Sequence, residues 1–331
     1  MTIRLGLIGA GVMGADHARI FAEDVPGVVL HAICDANEER ARIVADAVGS
    51  THVVSNPMTV INDKSIDAVL IAAPDHLHAP LSLASIDARK PVLCEKPLSQ
   101  DVKECLTVIE AETKAGFQFL QMGYMRRFDP AYTAAKTVLD RGDLGKAFLF
   151  HCIHRNVSPA YDFRASMAIR NSAPHEFDAA RWLLNSDLKS VSVFRPGLGG
   201  ETAPVIILLE TQAGQLVNVE VNISAGYGYD VRGELVGERG TLELRAAAPV
   251  EINRDLMQFR QYPNDWRPRF AEAYRRQNVA WIKSLQTGER NIGANAWDGY
   301  CSAVIAEAGV RALDSKQAVE INQIAKPQLY G

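Results

Sequence analysis

The sequence predicts an α/β chain: an N-terminal doubly wound parallel sheet, then a C-terminal α+β domain built on an open, largely antiparallel sheet. Three observations carry this. Through the first 120 residues, short apolar runs alternate with stretches whose apolar residues recur at three-to-four spacing. A glycine-rich turn, Gly9-Ala10-Gly11-Val12-Met13-Gly14, directly follows the first apolar run. Near Gly123 the pattern changes to longer strand-like runs, several with no helix between them. The 331 residues therefore divide into two expected domains, 1–122 and 123–331.

Residues 3–8 are apolar apart from Arg4 and one glycine, which suits a strand buried on both faces. A helix is expected over 12–22, a strand over 28–34 and a helix over 37–48, where Ala41, Val44, Ala45 and Val48 form a stripe. A strand over 67–73, a helix over 77–88, a strand over 91–94, a helix over 101–115 and a strand over 117–122 complete the first domain. Such alternation implies right-handed crossovers and a parallel sheet. The second domain should open with a helix over 130–139. Strands follow over 147–155, 190–194, 204–211, 215–223, 233–236 and 241–244, with a Gly-containing hairpin loop at 212–215. Two helices, 269–285 and 294–315, end the series.

Composition excludes several classes. With 35 basic and 39 acidic residues the net charge is -4, which gives no support for nucleic acid or a membrane surface as partner. No run reaches the roughly 18 apolar residues of a membrane-spanning helix. The glycine-broken first 14 residues read as a buried strand entering a loop, not a signal peptide. Five scattered cysteines make no disulfide framework and point to a reducing cytoplasm.

The turn at 9–14 has the spacing G-x-G-x-x-G, between a strand and a helix. Gly9 permits the tight turn, Gly11 lets the backbone approach a pyrophosphate, and Gly14 lets helix and strand pack closely. Val12 and Met13 lie where the helix N-terminus faces the phosphates. Asp35 ends the second strand, 21 positions past Gly14. A carboxylate there accepts hydrogen bonds from the adenosine ribose and repels a 2′-phosphate, so NAD is expected rather than NADP, on a Rossmann domain.

Other segments could carry chemistry. Cys94-Glu95-Lys96-Pro97 follows a strand, where a lysine faces the ligand crevice or is a solvated loop residue. Asn171-Ser172-Ala173-Pro174-His175-Glu176-Phe177-Asp178 reads as a helix entrance, with Ser172 as cap and Pro174 in the first turn. His175 near the positive end of that helix would stay neutral and could take a hydroxyl proton; alternatively it is a packed histidine satisfied by Asp178. His151 and His154 should point to opposite faces of a strand, which argues against zinc, and no metal is expected. Arg126-Arg127 could bring a guanidinium to a polar substrate or form an interdomain salt-bridge corner. Tyr227, Tyr229 and Asp230 are candidate hydroxyl contacts, or simply an aromatic strand end.

Together these residues resemble the Gfo/Idh/MocA family. The resemblance covers nearly the whole chain. It rests on residues 9–14, on Ala73-Pro74 with His78 four residues beyond the proline, on Glu95-Lys96-Pro97, on Arg126-Arg127-Phe128 and on the run from His175 to Trp182. It is most similar to the inositol dehydrogenase branch. That resemblance implies an NAD-dependent dehydrogenase oxidising a secondary hydroxyl of a cyclic polyol or sugar. It implies that Lys96 assists at the reacting hydroxyl, that His175 is the base, and that Arg127, His154, Asp178 and Tyr229 hold other hydroxyls. Ala73, Pro74, His78, Glu95 and Lys96 join the glycine loop as cofactor-binding positions. A homo-oligomer, tetramer or dimer, through the second sheet is implied too. One departure stands out: the family usually has Asp four residues before the catalytic histidine, and here Asn171 takes that catalytic and substrate-facing position. An NAD-binding sensor without turnover and an NAD-dependent glycosidase are the alternative readings.

Overall fold

A computed structural model describes residues 2–159, 162–245, 250–289 and 292–331. The chain forms two units. The first comprises Met1–Phe128, Glu272–Ala303 and Ile324–Gly331; the second comprises Asp129–Ala271 and Val304–Gln323.

In the first unit, β1 (Ile3–Ile8), α1 (Val12–Asp24), β2 (Val28–Cys34), α2 (Glu38–Val48), β3 (His52–Val54), α3 (Pro57–Asn62), β4 (Ala68–Ile71), α4 (His78–Asp87), β5 (Val92–Cys94), α5 (Val102–Ala115) and β6 (Leu120–Met122) alternate, all but β3 and α3 as the sequence predicts. All six strands are parallel, in the order β3-β2-β1-β4-β5-β6. The order reverses between β1 and β4, and a ligand crevice lies beyond the strand C-termini at such a point. Ala68, Val69, Leu70 and Ile71 are all fully buried, as a strand covered on both faces requires.

Local chemistry explains the helix ends. The Asn37 side chain accepts from Arg40 N and the Asp101 side chain from Lys103 N, while Gly49 and Gly116 close their helices in the left-handed conformation. The sequence reading misses β3 and α3. Three and six residues are too short for periodicity to register, although Asn56 as cap and Pro57 in the first turn were a local signal.

The second unit contains α6 (Pro130–Asp140), β7 (Ala147–Arg155), a single turn α7 (Ala165–Met167), α8 (Pro174–Leu184), β8 (Leu188–Phe194), β9 (Val205–Thr211), β10 (Leu216–Asn222), β11 (Asp230–Gly237) and β12 (Gly240–Leu244). An outlying hairpin, β13 (Glu251–Arg254) and β14 (Met257–Arg260), and a short β15 (Val319–Glu320) complete it. The seven-stranded sheet runs β12-β11-β7-β10-β9-β8-β15, antiparallel throughout except where β7 lies parallel to β10. Its central strands β7, β10 and β9 alternate. Phe150, Cys152, His154, Val217, Val219 and Ile207 are buried on one face, while Leu149, His151, Ile153 and Arg155 are partly exposed on the other. Every residue of β13 and β14 is exposed, so no buried face marked them in the sequence.

Helices α9 (Trp266–Thr287) and α10 (Ala296–Ser315) each pass from one unit to the other, and α9 kinks at Phe270. No described helix is long and apolar enough to cross a membrane.

The expected helix entrance holds, with Pro174 in the first turn of α8, but Ser172 as its cap is corrected. Helical hydrogen bonding does not begin at Ser172. It runs back through a π-helical turn, Ala168–Ser172, to α7. Ala173 is the N-cap residue of α8 and makes no side-chain cap bond; its N–H donates to Ala168 O at 3.0 Å. Ala173 N–H is thus bonded back into the π turn, and Pro174 has no N–H to leave open.

Candidate active site

The glycine loop is shaped by packing at two of its three glycines. Gly9 has φ +99°, and a Cβ there would collide with the Ala72 backbone. A Cβ at Gly14 would collide with Gly9 O. Gly11 differs: a Cβ would meet nothing within 4 Å, and its φ of -71° suits any residue. Nothing in the chain itself demands glycine at 11. Val12, beside it in the first turn of α1, is 58% exposed.

Asp35 closes this cradle. Its Oδ2 accepts from Ala10 N at 2.8 Å, and its Oδ1 accepts from Asn37 N and from the Arg40 guanidinium, both at 2.8 Å. Burial works against ionisation, but the Arg40 hydrogen bond and the two backbone N–H groups outweigh it, and the carboxyl is held below its ordinary value. An ionised acceptor fastened to the loop suits ribose hydroxyls. The sequence reading did not single out Arg40, five residues on.

His78 links two of the sequence-selected segments. Its Nδ1 lies 2.6 Å from Pro97 O and its Nε2 lies 2.8 Å from Ala73 O. The ring, 1% exposed, thereby ties Ala73-Pro74 to Glu95-Lys96-Pro97 at the ends of β4 and β5. Glu95 is buried. Its Oε1 lies 2.9 Å from His17 Nε2, and its Oε2 accepts from Lys96 N at 3.2 Å. His17 Nδ1 in turn lies 3.0 Å from Asn278 Nδ2. No spacing signal in the sequence linked His17 or Asn278 to this segment.

Arg127 NH2 pairs with Asp298 Oδ1 at 3.0 Å, a salt bridge within the first unit and not the interdomain one expected. A neighbouring cavity of about 400 Å³ is lined by Arg127, Asp298, Trp297 and Lys326.

In the second unit, β7, α8 and the start of β11 gather polar side chains under the covered face of the sheet. His154, His175, Glu176, Asp178 and Tyr229 are each less than a tenth exposed. His154 Nδ1 meets Glu176 Oε1 at 3.0 Å and Oε2 at 3.1 Å, and its ring makes an edge contact with Tyr229 at 6.0 Å. Asn171 lies in the π turn one helical turn before His175. Glu176, which the sequence reading used only as part of a motif, is the partner that fixes the His154 ring.

Tyr227 and Asp230 fall elsewhere. Tyr227 OH donates to Asp230 Oδ2 at 2.7 Å and accepts from Arg155 on the open face, where Arg155 also pairs with Glu220. His151 lies on that open face and His154 on the covered one, as strand alternation predicts. All five cysteines are buried and free, and no group of three or more His, Cys, Asp or Glu among the described residues could hold a metal ion.

Comparison with known proteins gives the family of this fold. Residues 3–124 match the oxidoreductase family with NAD-binding Rossmann fold, and residues 132–243 match the GFO/IDH/MocA C-terminal domain. The chain is 43% identical to inositol 2-dehydrogenase 1 of Saccharopolyspora erythraea over the full length of both. It is 38% identical to inositol 2-dehydrogenase of Streptomyces avermitilis, covering 99% of this chain and 96% of that one. Among solved structures it superposes on myo-inositol dehydrogenase from Lactobacillus casei, in complex with NAD(H) and myo-inositol, with a TM-score of 0.96, 28% identity and complete coverage of both chains. NAD is the cofactor of the first unit. The chain belongs to the Gfo/Idh/MocA family of oxidoreductases.

Proposed function

We propose that this NAD-dependent dehydrogenase oxidises a secondary hydroxyl of an inositol or a closely related cyclic polyol. The observation that carries the reading is a set of buried polar side chains, His154 held by Glu176 and edge-on to Tyr229, with His175 and Asp178 buried on the same helix as Glu176. Burying that many polar groups costs stability, and such a density of donors and acceptors suits a substrate that is hydroxylated all round. The inositol dehydrogenases matched above support the choice of polyol.

NAD, when bound, supplies the hydride acceptor. Gly9, Gly11, Val12, Met13 and Gly14 would hold its pyrophosphate and Asp35 its adenosine ribose, with Ala73, Pro74 and the 95–96 segment lining the nicotinamide side. His175 takes the proton of the reacting hydroxyl as the carbon gives up its hydride, leaving a ketone, and passes that proton to water. Lys96 donates a hydrogen bond to the same oxygen and disperses its developing negative charge. Asn171 orients the His175 ring without adding charge, and Asp178 supplies part of the missing carboxylate field. Arg127, His154 and Tyr229 hold other hydroxyls, and through them one stereoisomer is preferred.

We also propose a homo-oligomer, tetramer or dimer, assembled through the open sheet face. There Phe194, Leu208 and Leu216 are exposed beside a groove of about 1290 Å³. The buried free cysteines fit a cytoplasmic location. The deciding experiment is NADH absorbance with purified protein, NAD and a panel of inositol isomers and aldopyranoses. Turnover of at least one inositol is expected. No NADH across the panel, with NAD binding intact by calorimetry, would overturn the proposal.

A further inference from the structure

Glu95 sits beside Lys96, yet its carboxylate is buried and turned toward His17. Three elements far apart in sequence converge on it: α1 through His17, the loop after β5, and α9 through Asn278. The hydrogen bonds have a direction. Asn278 Nδ2 can only donate, so His17 Nδ1 accepts at 3.0 Å. The ring proton is then on Nε2 and is donated to Glu95 Oε1 at 2.9 Å. The free end of the chain, Glu95 Oε2, accepts the backbone N–H of Lys96 at 3.2 Å. Gly123 lies hard against the carboxylate, where a Cβ would come within 2.9 Å of its Cδ and both oxygens, so no side chain can share the space. On the other side of Lys96, His78 Nδ1 lies 2.6 Å from Pro97 O. The peptide that carries the lysine is therefore held from both sides.

Stability is a poor explanation for this chain of groups. His17, Asn278 and Glu95 are 1%, 0% and 6% exposed. Buried polar sets of this kind are often no more stable than apolar residues of the same volume, and what they add is a unique geometry. Burial opposes ionisation of Glu95, but the His17 hydrogen bond and the nearby Lys96 charge hold its carboxyl below the ordinary value, so the acceptor is charged where it meets the lysine peptide.

We infer that Asn278, His17 and Glu95 are positioning residues that set the Lys96 ammonium at the reacting oxygen through the lysine's own backbone. The inference rests on the proposal that Lys96 acts on the substrate hydroxyl. It adds to the cofactor-side place proposed for Glu95 a role in setting its neighbour, and brings in two residues, His17 and Asn278, that make no part of the nucleotide loop.

The test compares wild type, His17→Leu, His17→Gln and Asn278→Leu with NAD and the inositol that wild type oxidises. Four quantities are measured: kcat, the NAD dissociation constant, the isotope effect with substrate deuterated at the reacting carbon, and melting temperature. A catalytic group displaced by about 1 Å can lose on the order of 100-fold, so His17→Leu should lower kcat by about 10- to 100-fold. NAD affinity should stay unchanged, and the isotope effect should rise as hydride transfer becomes rate-limiting. His17→Gln, which can place an N–H near the Nε2 position, should recover most of kcat. Asn278→Leu frees the tautomer but leaves His17 in place, so the same pattern should appear at smaller size; it also carries the test if His17→Leu does not fold. Unchanged kcat in both leucine variants would overturn the inference. So would a loss that tracks NAD affinity and is not recovered by Gln. Wild-type protein that binds NAD but oxidises no polyol would overturn the dehydrogenase proposal first, and this inference with it.

Discussion

Replacing Glu112 with glutamine should stabilise the protein at pH 8 and change little at pH 4.5. Glu112, on α5, has no exposure to solvent. Its Oε1 accepts from Phe119 N and from Leu120 N at 2.8 Å, and its Oε2 accepts from Tyr330 OH at 2.6 Å. Burial raises the carboxyl, and the three hydrogen bonds offset it only partly, leaving it at about 7 against an ordinary 4.5. The folded state therefore holds a proton that the unfolded chain releases near 4.5. Stability from this group is fully present below pH 4.5 and is lost as pH rises through about 7. At about 1.4 kcal/mol per tenfold change, the interval from 4.5 to about 7 is worth about 3 kcal/mol.

Glutamine can still accept from the two backbone N–H groups and donate to the Tyr330 oxygen, but it does not titrate. Scanning calorimetry of both proteins from pH 5 to 8 should show melting curves that diverge. A unit of this size shifts roughly 2–4 °C per kcal/mol, so the variant should lead by roughly 6–12 °C at pH 8. Tyr330→Phe removes a bond that favours the charged form and should move the wild-type decline to higher pH. Parallel melting curves across the range, or a glutamine variant less stable at every pH, would refute the reasoning.

Three further predictions concern the proposed chemistry. Asp35→Ser should leave Arg40 free for a 2′-phosphate and shift the NAD-to-NADP ratio of kcat/KM by about 10- to 100-fold toward NADP, since hydrogen bonds to charged groups are worth roughly 1.5–3 kcal/mol; an unchanged ratio would remove Asp35 from cofactor choice. Lys96→Met and His175→Ala should each lower kcat by about 100- to 10,000-fold while NAD still binds by calorimetry, and a loss under about tenfold would exclude the acid–base roles. Asn171→Asp should raise kcat and Asp178→Asn should lower it, because a carboxylate stabilises the imidazolium; full activity in the second and no gain in the first would sink the idea that Asp178 substitutes for the missing charge.

The residues that were legible in the sequence share a cause. Gly9, Gly14 and Asp35 act through local backbone geometry at fixed spacing, and the alternation in β7 follows from burial of one sheet face. His17 and Asn278 were not legible, because their meaning arises only when α1 and α9, 261 positions apart, meet at Glu95. The π turn at Ala168–Ser172 was invisible for a different reason. Pro174 and Ser172 signal a helix start whether or not helical bonding continues upstream, and nothing in the residue types announces an i to i+5 bond. The β13–β14 hairpin escaped because strand signals depend on burying a face, and this one buries none.

The open space above Gly11 sets folding and binding against each other at one atom. An alanine there would collide with nothing in the chain, suits the observed backbone angles, and would reduce the freedom of the unfolded state by roughly 0.4–1 kcal/mol. A selection for heat resistance alone would therefore favour Gly11→Ala, a change that the pyrophosphate contact proposed for Gly11 predicts to weaken NAD binding. Any library screened for thermostability in this scaffold has to hold position 11 fixed or score NAD binding alongside melting.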